Sequence, residues 1–100
     1  MMNEERWAKL RETFDNEANF EKFTEDGYTE EWYTTGVPGE LGIASDLMDW
    51  LECSSVRPSY EMIQEFRDHG YSVRPGDRDS FGWLTGIVRD SVTGRKICFG

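Results

Sequence analysis

The chain has one histidine, two cysteines and only 11 lysines and arginines against 20 aspartates and glutamates. One histidine excludes any site that needs two. The cysteines, Cys53 and Cys98, stand 45 positions apart and fit no C-x-x-C redox or zinc pattern. They are expected as two unpaired thiols in a reducing cytoplasm, with one long-range disulfide as the alternative. No apolar run approaches the roughly 18 residues that cross a bilayer. The N-terminal stretch mixes Arg and Lys with Glu4, Glu5 and Glu12, which suits neither a signal nor a transit peptide. These absences predict a cytoplasmic protein. Neither GxxxxGK[ST] nor GxGxxG occurs, so no phosphate-cradling loop is expected.

What is present is enough for one small α+β domain over residues 1–100. The sequence is 37% hydrophobic and 14% aromatic, and its net charge is −9. That charge opposes direct binding to nucleic acid or to an anionic membrane. It is unevenly placed: residues 1–55 hold 14 acids and 4 bases, and residues 56–100 hold 6 acids and 7 bases. Unpaired carboxylates are not buried, so the asymmetry belongs to the surface.

Asn3 reads as the N-cap of a first helix, with Glu4 and Glu5 favourable in its first turn and Trp7, Leu10 and Phe14 on one stripe. Phe20 and Phe23 would fall on the opposite side of that helix, so it ends or bends near Asp15 to Asn19, or both its faces are covered. Glu25-Asp26-Gly27 reads as a turn, and 28–35 fits a strand or a short helix. A second helix is expected from Pro38 or from Ser45, with Leu41, Ala44, Leu47, Met48 and Leu51 inward. A third runs from the N-cap Ser59 to Gly70, with Ile63 and Phe66 inward and Tyr71 closing on Phe66. The period then changes to two. Short strand 71–74, a Pro75-Gly76 turn, long strand 81–89, a loop over 90–94 and closing strand 95–99 are expected. The architecture predicted is about three helices in the N-terminal two-thirds, packed on one face of a C-terminal antiparallel sheet of about three strands.

Tests for chemistry mostly fail. Asp77-Arg78-Asp79-Ser80-Phe81-Gly82 imitates the start of a calcium loop, but Phe81 occupies a ligand position and Val88 stands where a bidentate Glu belongs. His69, in the last turn of the third helix, complements the helix dipole and lacks a nucleophile at helical spacing. Asp46, Asp49 and Glu52, and Glu61 and Glu65, share helix faces that should be solvated; the only variant chemistry for them is a weak divalent-cation site. Phe81, Trp83 and Phe99 read as core. No cofactor, metal site or catalytic residue is assigned.

The functional candidate is the acidic stretch from Glu12 to Glu31, with eight carboxylates and one lysine, continued by Trp32 and Tyr33. Its carboxylates Glu12, Asp15, Glu17, Glu21, Glu25, Asp26, Glu30 and Glu31 repel one another. Phe20, Phe23, Tyr28, Trp32 and Tyr33 are interspersed, more aromatics than so small a core takes. Carboxylates around rigid aromatic anchors suit a basic groove built for nucleic acid. The expected function is a protein-binding module that inhibits or regulates a nucleic-acid-handling protein by mimicking phosphates, as small acidic anti-defence and anti-CRISPR proteins of phages do. The expected binding residues are those eight carboxylates with Tyr28, Trp32 and Tyr33. The alternatives are an accessory subunit that binds through its aromatics, and a small enzyme using His69.

Overall fold

A computed structural model describes residues 2–34, 42–53, 56–78, 80–82 and 84–99. Helix α1 spans Glu4–Asp15. The Asn3 side chain accepts from the Arg6 N–H at 2.9 Å, and Leu10 and Phe14 are fully buried, as the stripe predicts. The helix stops at Asn16, whose side chain in turn accepts from Ala18 N–H and starts a single 3-10 turn over Glu17–Asn19. Then comes a hairpin. β1 (Phe20–Glu25) pairs antiparallel with β2 (Tyr28–Tyr33) through a two-residue turn. Asp26 (φ 52°) and Gly27 (φ 83°) both lie in the left-handed region, as a type I′ turn requires.

α2 (Ile43–Trp50) buries Ile43, Leu47 and Trp50, followed by Leu51; Pro38 and Leu41, expected at its start, lie outside the described residues. α3 (Tyr60–Asp68) is capped as predicted. The Ser59 hydroxyl accepts from Met62 N–H at 3.2 Å, Gly70 takes φ 90°, and its N–H donates to Arg67 O. Its deepest residues are Met62 and Phe66, with Ile63 half-buried. Phe66 meets Tyr71 edge-on at 6.4 Å.

The sheet corrects the expected architecture. It has five strands in the order β1-β2-β5-β4-β3, with β3 at Tyr71–Arg78, β4 at Leu84–Asp90 and β5 at Lys96–Phe99. It is mixed, because β2 lies parallel to β5, and its strands are interleaved with the helices rather than following them. Two local features explain the difference. The Asp26-Gly27 turn folds the acidic stretch back on itself, which adds two strands. Pro75-Gly76 is not a turn: a register shift between Pro75 and Arg78 absorbs the proline within an edge strand, where its missing N–H costs no ladder bond. The long strand begins at Leu84 because Gly82, at φ 85°, turns the chain just before it. Phe81 is therefore 85% exposed instead of in the core, and Trp83 lies outside the described residues.

One face of the sheet carries Phe20, Tyr71, Leu84, Val88, Ile97 and Phe99 into a core shared with the three helices. Trp7 seals its edge, stacked on His69 at 3.8 Å and edge-on to Phe66 at 4.9 Å. Asp90, at the end of β4, is fully buried. Its carboxylate takes a hydrogen bond from Arg11 of α1 and another from Val92 N–H at 2.9 Å. Burial alone would raise its pKa, but the Arg11 bond and the backbone donors of Val92 and Thr93 prevail and hold it below the ordinary range. Among the described residues no helix is long and apolar enough to cross a membrane.

Candidate functional site

The strand registers decide which side chains share the face of the sheet turned away from that core. On β1 and β2, Glu21 lies opposite Trp32, Phe23 opposite Glu30, and Glu25 opposite Tyr28. Trp32 neighbours Lys96 of β5, Lys96 faces Arg89 of β4, and Cys98 faces Ile87. Arg89 and Ile87 in turn face Ser72 and Arg74 of β3. Because side chains alternate along a strand, all of these point to one side. No described helix packs over them.

This face is divided. Its hairpin half carries Glu21, Glu25 and Glu30 around Phe23, Tyr28 and Trp32. Phe23 is 51% exposed and Tyr28 78%, and together with Glu25, Asp26 and Glu30 they line a shallow depression of about 320 Å³. The other half carries Arg74, Arg89 and Lys96 around Ile87 and Cys98. Trp32 sits on the seam. Its indole N–H donates to Glu30 Oε2 at 3.1 Å, and Lys96 Nζ lies 5.5 Å from the ring centre and 3.6 Å from Glu30 Oε1.

Six of the expected binding residues are thus brought together by the hairpin: Glu21, Glu25, Tyr28, Glu30 and Trp32 on one face, with Asp26 at the tip. Glu31 and Tyr33 point the other way. Glu31 accepts from Arg95 Nε at 2.8 Å, and Tyr33 packs edge-on against Phe20 at 6.0 Å. Glu12 and Asp15 stay on α1 and Glu17 on the 3-10 turn, all three exposed and off that face. Asp15 is paired with Arg11 at 2.8 Å, which offsets the unfavourable placing of a carboxylate at a helix C-terminus. The aromatics divide in the same way: Phe20 belongs to the core and Phe23 to the open face. The Asp26-Gly27 dipeptide, followed by the β-favouring Tyr28, Thr29, Trp32 and Tyr33, was the signal that could have placed Phe23 there.

The remaining candidates make the following contacts. Lys9 Nζ holds Asp46 at 2.6 Å and Arg6 lies 3.7 Å from Asp49, so the acids of α2 face cations of α1. No group of three or more metal-ligating side chains occurs among the described residues; Asp79 of the calcium-like string lies outside them. His69 Nδ1 lies 2.9 Å from Glu65 O of its own helix while its ring stacks on Trp7. Cys53 is buried and Cys98 is exposed; both thiols are free, and desolvation of the sulfur pushes the pKa of each up, away from the reactive thiolate. No protein-family model, curated protein or solved structure matches the chain.

Proposed function

We propose that this chain is a protein-binding module, acting in the cytoplasm, whose acidic hairpin occupies the basic site of a nucleic-acid-handling protein and so inhibits or regulates it. One observation carries the reading. Of the six residues of β1 only Phe20 is buried, and on β2 Tyr28, Thr29 and Glu30 are all exposed. The hairpin's tip therefore contributes almost nothing to the core, yet it presents two large aromatics among Glu21, Glu25, Asp26 and Glu30. Exposed apolar rings are unfavourable in water and carboxylates so close repel one another, so both are best explained by a partner that covers the first and neutralises the second. Carboxylates then stand in for phosphates, and Phe23 and Tyr28 supply rigid apolar anchors.

The exposure of those same rings favours one second reading, an accessory subunit held by apolar contact with a partner that has no basic groove. Salt separates the two, since exposed charge contacts weaken between about 0.1 and 0.5 M while apolar burial does not. The test begins with capture of partners by the tagged chain from cytoplasmic extract of the source organism or its host, and their elution with salt. The captured protein is then purified, and its association with the variant Glu21→Gln/Glu25→Gln/Glu30→Gln is measured. An association rate reduced more than about tenfold, and competition by a short DNA or RNA duplex for the same site, are expected. An unchanged rate with no competition overturns the phosphate-mimic reading in favour of the accessory subunit.

A further inference from the structure

The open face of the sheet is complementary to itself. Its basic half consists of two contiguous depressions, of about 420 and 210 Å³, which share Arg74 and Ile87. Ile87 and Cys98 form the floor, and Arg74, Arg89 and Lys96 stand around it. Three cations on one patch are a notable concentration in a chain of net charge −9. Lys96 reaches Glu30 at 3.6 Å, whereas no ion pair is formed by Arg74 or Arg89 among the described residues. On the hairpin half, Glu21 and Glu25 are likewise without ion pairs among the described residues. The two halves flank the central strand β5 of the same sheet, with Lys96 and Trp32 at their border. Each half offers what the other lacks: carboxylates with protruding rings on one side, guanidinium groups around a shallow apolar floor on the other.

We propose that this face binds a second copy of the chain, sheet against sheet, with the hairpin half of each copy over the Arg74–Arg89 half of the other. A two-fold arrangement makes both contacts at once and closes the assembly as a dimer. Five strands spaced by about 4.8 Å give a face roughly 24 Å wide and projecting on the order of 500 Å² per copy. This is smaller than the roughly 800 Å² per partner of a standard stable interface, so the dimer is expected to be weak and concentration-dependent. Like net charge opposes the approach of the two copies, but at about 0.1 M salt it is screened beyond about 10 Å, which leaves the local contacts to decide. The dimer covers the hairpin on which the proposed function rests, so self-association and partner binding compete.

The experiment is sedimentation velocity at about 0.1 M salt, over a range from about 5 to about 500 µM. The hairpin variant Glu25→Lys/Glu30→Lys and the groove variant Arg74→Glu/Arg89→Glu are each expected to raise the dimer Kd more than tenfold. Mixed together they should form a heterodimer, because one contact is then native and the other has both its signs exchanged. Circular dichroism of each variant separates loss of association from loss of fold. A native chain that stays monomeric throughout, or a dimer that ignores both reversals, overturns the proposal, and so does a mixture that fails to associate when both variants are folded. Arg74 and Arg89 have no part in the proposed function. Failure of the groove variant to affect association therefore leaves the hairpin reading standing, while loss of partner binding in the hairpin variant alone bears on that reading.

Discussion

Glu31 and Arg95, 64 residues apart in the chain, meet at 2.8 Å with their side chains only 23% and 16% exposed. Arg95 also donates from Nη1 to Phe14 O at 2.7 Å and lies 5.3 Å over the Phe20 ring. One guanidinium thus ties together the end of α1, the start of β1 and the middle of β2. It makes the acidic hairpin part of the domain although few of its side chains enter the core. Replacement of Arg95 by Met is expected to cost about 2–3 kcal/mol, since two charge-assisted bonds are lost and Glu31 is left without its partner. Chemical denaturation measures the loss. Hydrogen exchange should rise more in the hairpin than in β3 and β4.

Asp90 makes stability depend on acid. Its folded-state pKa lies below the ordinary aspartate value of 3.8, so the unfolded chain takes up the proton first as the pH falls. The contribution is complete above the ordinary value and is lost as the pH drops through the folded one. Asp90→Asn should destabilise the protein by about 1–2 kcal/mol near neutrality, because a buried charge-assisted bond is lost while Arg11, 41% exposed, keeps Asp15. The same variant should flatten the acid limb of the stability curve below about pH 4. Urea melts between about pH 2 and 7 give both quantities.

Gly86 is required by packing rather than by backbone conformation. A Cβ there would lie 2.4 Å from the Phe99 ring and 2.7 Å from Arg74 O, one a core side chain and the other the backbone of the neighbouring strand. Neither yields cheaply. Gly86→Ala is expected to destabilise by about 2–3 kcal/mol by overpacking, seen as a lower denaturation midpoint at unchanged slope.

Tyr28, 78% exposed at the mouth of the hairpin turn, should behave in the opposite way. Tyr28→Ala is expected to change stability by no more than about 0.5 kcal/mol while weakening partner binding by about 2 kcal/mol, mainly through faster dissociation. Thermal melts and dissociation rates of the same sample check the pair.

The helices were legible because their signals are local. Asn3 and Ser59 cap as their side chains dictate, Gly70 ends α3, and the stripe Trp7-Leu10-Phe14 meets the core. The sheet was less legible because its signals compete. Glu21, Lys22 and Glu25 are poor strand formers and masked the Asp26-Gly27 hairpin, while Pro75-Gly76 imitated a turn that an edge strand can absorb. The parallel pairing of β2 with β5 joins residues more than sixty positions apart, and no local pattern encodes it. For the candidate site, the sequence singled out a stretch but not its faces. Only the register separates Glu30 and Trp32, which face outward, from Glu31 and Tyr33, which are held by Arg95 and Phe20. Arg74, Arg89 and Lys96 share the outward face for the same reason.

The last of the five strands in chain order is the middle one in space. Until β5 is in place, β1–β2 and β3–β4 are two separate ribbons, and isolated two-stranded ribbons are marginal in water. Assembly of the sheet therefore waits on contacts that close long loops, which slows folding relative to a chain of local hairpins. A substitution such as Ile97→Ala should then act on both ribbons at once. The domain is expected to come apart as a whole at that point, whereas damage at either outer strand would fray one edge and leave the rest intact.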